Sequence, residues 1–352
     1  MSDKNEKATI RIQELDALRG IAAILVVLYH FSLYYKDTYH FFKFGSTGVD
    51  LFFIISGFVI YKSIEKTTNG FTFLFNRFTR LYPVYWAVVT FTFSLIIIKL
   101  FEKYGCNFTI IPWGNYWANM SMFQHYFKID NLDGPYWTLI IEMNFYLIVF
   151  VFLLLKKINY LEYFLMLISA INLFSLFTHI DFLYLNSVFN VIPGIYWFPL
   201  FLSGIYFYKL IYGKGNKKIN HLFIIINLTL QTLIFINHHH YNPTDITLTE
   251  HLTFLYSYYF IFYLFIYQKL KWIVNKLSLF FGRISYSLYL CHQYIALSFI
   301  IPFGVNTLEL SVYKTMFLIA LPIIIVIAFL FNKLIEVPFQ IKLRSMIKLK
   351  NS

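Results

Sequence analysis

Residues 15–35 read LDALRGIAAILVVLYHFSLYY, an apolar run whose only charged or imidazole side chains are Asp16, Arg19 and His30. A membrane-spanning helix needs about 20 mainly apolar residues, and this run has that length. Similar runs recur along the chain without the alternating pattern of an outer-membrane barrel. The sequence therefore predicts an all-α polytopic membrane protein with about ten transmembrane helices. We expect them at 15–35, 49–65, 81–101, 137–155, 161–178, 195–212, 221–237, 251–268, 284–302 and 315–335.

The composition excludes a soluble, disordered or fibrous protein. Of 352 residues, 59% are hydrophobic and 13% charged, whereas soluble proteins carry about 25% charged residues. Two cysteines, Cys106 and Cys291, provide no disulfide framework and no metal cluster. The polar N-terminus lacks the features of a cleaved signal peptide, so we expect the first apolar run to remain as a membrane anchor.

The distribution of Lys and Arg predicts the orientation. With the N-terminus inside, the cytoplasmic segments hold 22 of the 29 Lys and Arg residues and the outer segments six, with Arg19 inside the first helix. Cytoplasmic loops of membrane proteins are enriched in these residues, so both termini are expected in the cytoplasm. The formal charge of +12 thus has a topological explanation and does not indicate nucleic-acid binding. We expect one transmembrane domain over residues 1–340 and a short basic cytoplasmic tail over 341–352.

A few ionisable side chains lie deep in the predicted helices, where they are costly and mark candidate functional sites. Arg19 and His30 are eleven residues apart, which places them about 16 Å apart on nearly the same helix face. Each also has a structural interpretation, with Arg19 extending to lipid phosphates and His30 packed as a neutral histidine hydrogen-bonded within the bundle. Glu142 and Asp50 fall in the same outer layer as His30. A histidine beside a carboxylate can act as a general base, although Asp50 can equally cap its helix.

The sequence RFTR (77–80) presents Arg77 and Arg80 on the cytoplasmic side. Arginine binds phosphate groups through paired hydrogen bonds, although arginines near a cytoplasmic membrane surface often serve only as anchors. Together with Arg19 and Arg283, these two residues predict a cytoplasmic donor that carries phosphate and reaches inward toward a histidine.

Arg19, Arg77 and Arg80, like His30, Asp50 and Glu142, lie in a series of six motifs. The motifs are LDALRGIAAILVVLYH (15–30), GVDLFFIISGFVI (48–60), FLFNRFTRLYPVYW (73–86), WTLIIEMNFYL (137–147), ISYSLYLCHQYI (284–295) and IEVPF (335–339). With these motifs in this order, the chain resembles the integral-membrane acyltransferase 3 family, whose members O-acylate cell-surface glycans and lipids. Two positions depart from the family pattern: Cys291 stands where a tryptophan is expected, and Val337 where an arginine is usual.

The resemblance implies a membrane-bound O-acyltransferase of the bacterial inner membrane. Its donor would be cytoplasmic acetyl-CoA or another acyl-CoA, used as a substrate rather than held as a permanent cofactor. Its acceptor would be a hydroxyl of a lipid-linked or polymeric glycan of the cell envelope, such as lipopolysaccharide O-antigen or exopolysaccharide. Some members carry an added esterase-like domain, and this chain is expected to resemble those without it. The expected partners are acetyl-CoA, the glycan and membrane lipids, with no nucleic acid.

Within this scheme each candidate residue has an expected role. Arg19, Arg77 and Arg80 would hold the CoA phosphates. His30 would be the general base, and Glu142 would orient His30 or position the acceptor. The substrate-binding candidates are Asp50, Ser56, Tyr136 and Trp137.

Two further histidine features are given no catalytic role. His292 is expected to be packed or to contact the donor. The run His238–His240 can bind metal adventitiously, and no functional metal site is expected.

Two alternatives remain open at this stage. A transporter or flippase of lipid-linked sugars also needs many helices and buried charges, but it predicts inverted repeats and helices broken near mid-membrane. Transfer of another acyl group, such as succinyl, is compatible with every residue discussed.

Overall fold

The computed structural model describes residues 12–34, 41–67, 69–178, 192–238 and 246–350, and within these ranges the chain forms helices and loops with no strand. This confirms the all-helical prediction. The helices are α1 Gln13–Ser32, α2 Gly48–Ile64, α3 Gly70–Tyr104, α4 Trp113–Met120, α5 Trp137–Leu154, α6 Leu161–Thr178, α7 Phe198–Ile211, α8 Lys217–His238, α9 Leu248–Ile266, α10 Lys276–Thr307 and α11 Val312–Leu343.

Eight helical segments in the described ranges are long and apolar enough to cross a membrane. They correspond to α1, α2, α3, α5, α6, α8, α10 and α11. The remaining two predicted spans are also helical: α7 with its preceding turn is a shorter apolar helix, Ile195–Ile211, and α9 covers 19 residues. The chain is therefore a multi-pass membrane protein. The helical chain continues beyond α11, and its last stretch, Val337–Lys350, crosses the predicted domain boundary at residue 340.

Helix α3 begins eleven residues before the predicted span of 81–101. The Asn69 side chain accepts a hydrogen bond from the Thr72 backbone N–H at 3.2 Å, which caps the helix at Gly70. The predicted span of 81–101 lies within this longer helix, and its earlier start was missed because Asn76, Arg77 and Arg80 interrupt the apolar pattern used to find membrane spans. As a result, Arg77 and Arg80 lie on the same continuous helix, and Pro83 lies inside it.

The packing of α1 against α10 is close enough for backbone contact. A Cβ atom at Gly20 would lie 2.6 Å from the Gly282 backbone nitrogen, and one at Gly282 would overlap the Asp16 carbonyl oxygen. Small residues let membrane helices approach in this way. Gly20 faces Gly282 and, ten residues farther along each helix, His30 faces His292. The two helices therefore run parallel and in constant register.

A second close contact joins α2 to α7. A Cβ atom at Gly57 would overlap the Phe201 carbonyl oxygen, and one at Gly204 would overlap the Ile54 carbonyl oxygen. Helix α2 also packs against α1, so it connects the α1–α10 pair to α7 and its neighbour α8. These contacts leave space between α1, α2, α3, α5 and α10.

The segment between α3 and α5 folds back onto α3. The hydroxyls of Tyr82 and Tyr85 donate to the carbonyls of Ser121 and Asn119 at 2.9 and 2.7 Å. The Trp86 indole N–H donates to a third carbonyl of the same segment at 2.9 Å. These bonds satisfy backbone groups that would otherwise be exposed to lipid. The segment therefore packs against α3.

The α1–α10 contact makes a testable prediction for stability. Changing Gly282→Ala adds a methyl group against backbone atoms that cannot rotate away, so we expect a lower melting temperature in detergent. Overpacking of this kind typically costs about 1–3 kcal/mol. The matched control is Gly114→Ala, where an added Cβ meets nothing within 4 Å. Equal melting temperatures for Gly282→Ala and the wild type would contradict the described helix separation.

Candidate active site

Two adjacent cavities lie in the helix bundle, the first between α1, α2, α3, α5 and α10 and the second between α1, α3, α10 and α11. The first, here called the inner chamber, has a volume of about 740 Å³, including open solvent, and is lined by apolar side chains together with Arg19, Ser56, Arg80, Glu142, Tyr286 and Tyr289. The second, here called the mouth, is polar and encloses about 820 Å³, including open solvent. Its lining includes Asp16, Arg283, Asn332, Glu336 and Gln340. Because both cavities share Arg19, Arg80, Ser285 and Tyr286, a ligand can extend from one into the other.

Arg19 and Arg80 stand where the mouth meets the inner chamber. In the described part of the chain, no carboxylate lies within ion-pair distance of either guanidinium. Cationic groups brought out of water are normally paired, so two cations without a close anion make the junction suitable for an anionic ligand. Phosphate groups fit this requirement through paired hydrogen bonds.

Arg77 is placed differently from the other two predicted phosphate-binding residues. It is buried, its Nη2 donates to Ser63 Oγ at 2.8 Å, and it lines neither cavity. Its guanidinium carbon lies 5.5 Å from the ring centre of Phe73 and 5.8 Å from that of Tyr146. Arg77 therefore packs on the outer side of the chamber wall, whereas Arg80, three residues later, lines the chamber itself.

Glu142 faces the inner chamber and accepts two hydrogen bonds. Ser56 Oγ donates to Glu142 Oε1 at 2.9 Å, and the Tyr146 hydroxyl donates to the same oxygen. The predicted residues Ser56 and Glu142 are thus brought together. Among the described contacts, none joins Glu142 to His30, so the expected histidine–carboxylate pair is not formed by these residues.

The partner of His30 is His292, which lies on α10. His30 Nδ1 and His292 Nε2 are 3.0 Å apart, and the two ring centres are 4.8 Å apart with the rings tilted by 62°. His292 is fully buried and His30 is half-buried. The Tyr289 side chain lines the inner chamber one turn before His292, so the histidine pair lies just beyond the chamber, at the opposite end from the arginines.

The hydrogen bonds define the tautomers of both rings. His292 Nδ1 lies 2.8 Å from the Tyr289 carbonyl oxygen, which can only accept, so Nδ1 carries the proton and Nε2 is an acceptor. His30 Nδ1 lies 2.9 Å from the Val26 carbonyl oxygen, so it must also carry a proton, which it shares with His292 Nε2. In its neutral form, His30 therefore presents an unprotonated Nε2. This is the nitrogen available to act as a base.

The remaining predicted residues fall outside this arrangement. Asp50 Oδ2 lies 2.8 Å from His251 Nε2 on α9, so Asp50 pairs with a histidine other than His30. Tyr136 is fully buried against Tyr85, with ring centres 5.3 Å apart, and belongs to the core. Trp137 remains 39% exposed and contacts Trp197, with ring centres 5.3 Å apart and the rings tilted by 48°. His239 and His240 lie outside the described residues.

Sequence reasoning assigned His292 no catalytic role and did not consider His251. In a sequence, a histidine within an apolar helix looks the same whether its role is packing or catalysis. One signal was present: His292 lies ten residues after Gly282, as His30 lies ten after Gly20. That match has meaning only once α1 and α10 are known to be parallel neighbours.

Comparison with known proteins supports a single assignment. The acyltransferase 3 family, described as an acyltransferase domain, matches residues 12–333. ORF330 of Acidianus two-tailed virus, named an acetyltransferase, is 25% identical over 294 residues, which cover 78% of this chain and 80% of that protein. No solved structure matches the chain.

Two bacterial relatives match over a smaller region. BcsY of Komagataeibacter xylinus, named a membrane-bound transacylase, is 28% identical over 42% of this chain and 39% of its own length. The peptidoglycan O-acetyltransferase OatA of Listeria monocytogenes is 28% identical over 41% of this chain and 24% of its own length. The chain thus spans less than half the length of these two relatives.

The tautomers can be tested by ¹⁵N NMR of histidine-labelled protein in membranes. We expect His30 and His292 to carry their protons on Nδ1 in the neutral state. His251, whose Nε2 faces Asp50, is the internal contrast and should carry its proton on Nε2. Signals are assigned from their loss in single His→Gln variants. A proton on His30 Nε2 in the neutral ring would contradict the proposed direction of the hydrogen-bond chain.

Proposed function

The chain belongs to the acyltransferase 3 family of membrane acyltransferases, and we propose that it transfers an acetyl group from cytoplasmic acetyl-CoA to a hydroxyl of a lipid-linked or surface glycan. The names of its relatives support acetyl transfer, and that of OatA supports a cell-envelope glycan as acceptor. O-antigen and exopolysaccharide are acceptors of this class.

One observation carries the proposal: two arginines with no carboxylate of the described residues within ion-pair distance line one end of the chamber, and a histidine with an unprotonated Nε2 lies just beyond the other end. Arg19 and Arg80 suit the phosphates of CoA, whose long pantetheine arm can then enter the inner chamber. Arg19 and His30 are eleven residues apart on α1, or about 16 Å at 1.5 Å per residue. A bound thioester must bridge this distance, which suits a donor with phosphate at one end and its reactive group at the other.

In the proposed reaction, His30 Nε2 takes the proton of the acceptor hydroxyl as the hydroxyl oxygen attacks the thioester carbonyl carbon. The carbon–sulfur bond breaks, the new ester stays on the acceptor, and CoA leaves as a thiolate. The imidazolium formed at His30 is stabilised because its Nδ1–H donates to Val26 O and to His292 Nε2. The proton on His30 Nε2 then passes to the CoA sulfur, which restores the neutral base.

Glu142 is proposed to act on the donor rather than on His30. Its carboxylate lies in the inner chamber between the arginines and the histidine pair, held by Ser56 and Tyr146. From there it can accept a hydrogen bond from an amide N–H of the pantetheine arm. Its negative charge also offsets the positive charge of Arg19 and Arg80 across the chamber.

The proposed orientation places the mouth in the cytoplasm and the histidine pair toward the outer face of a bacterial inner membrane. The 22-to-6 distribution of Lys and Arg supports it, as does Arg283 in the mouth. This orientation supplies acetyl-CoA from the compartment that contains it. The acceptor would then approach His30 from the outer side, where Trp137 is accessible.

The proposal predicts that His30→Ala abolishes transfer of label from [¹⁴C]acetyl-CoA to glycan in isolated membranes. General-base catalysis typically contributes 10²–10⁴-fold, so the loss should be at least about 100-fold at unchanged protein level. The matched control is His221→Ala, because His221 lies on α8 and bonds to Tyr263, outside both cavities. Full activity of a well-expressed His30→Ala variant would overturn the role of His30.

The same assay separates the alternatives. Label transfer from succinyl-CoA but not from acetyl-CoA would identify a different acyl group. If neither donor gives label and deletion of the protein stops the glycan from reaching the outer face, the protein is a transporter or flippase.

The three arginines are predicted to differ in their effects. Arg19→Gln and Arg80→Gln should each raise the KM for acetyl-CoA by about 10–100-fold, since each removes a charged hydrogen bond worth about 1.5–3 kcal/mol. Arg77→Gln should mainly lower the melting temperature, because Arg77 is buried behind the chamber wall. Steady-state kinetics and thermal unfolding of the three variants test this. A raised KM for Arg77→Gln with unchanged stability would show that Arg77 contacts the donor.

A further inference from the structure

One buried carboxylate outside both cavities contacts the helix that carries His292. Asp133 precedes α5 and is 2% exposed. Its two carboxylate oxygens lie 3.1 and 3.2 Å from the Tyr294 backbone nitrogen on α10, whose N–H donates to them. Tyr294 is two residues after His292. The carboxylate therefore reaches the α10 backbone within one turn of the histidine pair.

The contact lies where α10 changes its geometry. Residues up to Ile295 are α-helical, and Ala296–Ile300 form a wider π-helix. Such widenings are frequent at functional sites, and a side chain inserted among the backbone hydrogen bonds is a recognised cause of helix distortion. Asp133 supplies an inserted side chain of this kind.

The residues after Asp133 hold the same stretch of α10. The Tyr289 hydroxyl donates to the Pro135 carbonyl at 3.1 Å and also bonds to the Thr138 hydroxyl at 2.6 Å. A Cβ atom at Gly134 would overlap the Gln293 side chain. Residues 289–294 of α10 are thus fixed on both sides of His292 by the segment 133–138.

On the basis of the proposed function, we propose that Asp133 is a positioning residue that holds α10 so that His292 meets His30. It touches neither the donor nor the reacting atoms. Its effect passes through the Tyr294 backbone to His292 and then through the 3.0 Å contact to His30 Nδ1. Without this hold, residues 289–294 of α10 lose a contact with the segment 133–138, and His292 can shift relative to His30 on α1.

The environment of Asp133 makes this hold sensitive to pH. The groups that face it are Tyr136 on its own segment and Tyr289, Cys291 and Tyr294 on α10, all neutral at pH 7. Within the described ranges, no cation lies within ion-pair distance of it. Burial therefore raises the pKa of Asp133 to about 7. The folded state binds the proton of the Asp133 carboxyl more tightly than the unfolded chain does. The contribution of Asp133 to folding stability therefore decreases as pH rises from about 4 to 7.

Ionisation strengthens the hydrogen bond from Tyr294 N–H, because a carboxylate is a better acceptor than a neutral carboxyl. Asp133→Asn keeps an acceptor oxygen of the same shape but cannot ionise. The ratio of wild-type to Asp133→Asn transfer rates should therefore be near one at pH 5.5 and rise to about fivefold above pH 8. A ratio independent of pH would overturn the proposal.

A double-mutant cycle tests the route through His292. Asp133→Ala removes the acceptor and should lower the rate about tenfold or more, whereas Asp130→Ala, an exposed acid of the same segment, should not. In a His292→Ala background, Asp133→Ala should cause little further loss, because the residue through which it acts is already absent. Fully additive losses would overturn the proposal.

A structural measurement separates this proposal from the proposed function. In the ¹⁵N NMR spectrum, Asp133→Ala should shift the His30 and His292 signals and leave His251 unchanged. If wild-type membranes transfer no acetyl group, the proposed function fails, and the NMR result alone decides the role of Asp133. Unchanged His30 and His292 signals in Asp133→Ala would overturn that role even in an active enzyme.

Discussion

The backbone contact between α1 and α10 is the constraint on which the site depends. With no side chain at Gly20 or Gly282, the two helices meet closely and run parallel in one register. That register brings His30 to His292 ten residues beyond the glycines. Because a membrane offers little hydrophobic driving force between helices, such close van der Waals packing has to supply the association. The geometry of the base is thus determined by a contact about 15 Å away along the helices.

The chamber separates two kinds of chemistry. Its cytoplasm-proximal end, in the proposed orientation, presents Arg19 and Arg80 to an anionic ligand, and the histidine pair lies just beyond its other end, one turn after Tyr289. The two histidines form a directed chain of hydrogen bonds that starts at the Tyr289 carbonyl and leaves His30 Nε2 as the acceptor. The Tyr289 carbonyl at the end of this chain orients the two imidazole rings, a role that a carboxylate often has. The pair therefore needs no buried negative charge beside it.

The predicted site residues divide into groups with different physical roles. Arg19, Arg80 and Glu142 face one chamber, whereas Arg77 supports its wall and Asp50 ties α2 to α9 through His251. Residues within one motif can thus serve different purposes, because neighbouring helix positions point in different directions. Asp133, which belongs to none of the motifs, reaches the helix of His292 from the loop before α5. The proposed positioning role makes that loop part of the site.

The sequence by itself determined the helical membrane class, most of the helix positions, the family and the candidates Arg19, Arg80, Glu142 and His30, because apolar length and deep charges are local properties of the chain. The start of α3 was missed because Asn76, Arg77 and Arg80 interrupt the apolar pattern of its first turns. Only the tertiary structure decided that His30 pairs with His292 rather than with Glu142 or Asp50. Depth along a helix can be counted from the sequence, but which helices are neighbours depends on packing at glycines far away in the chain.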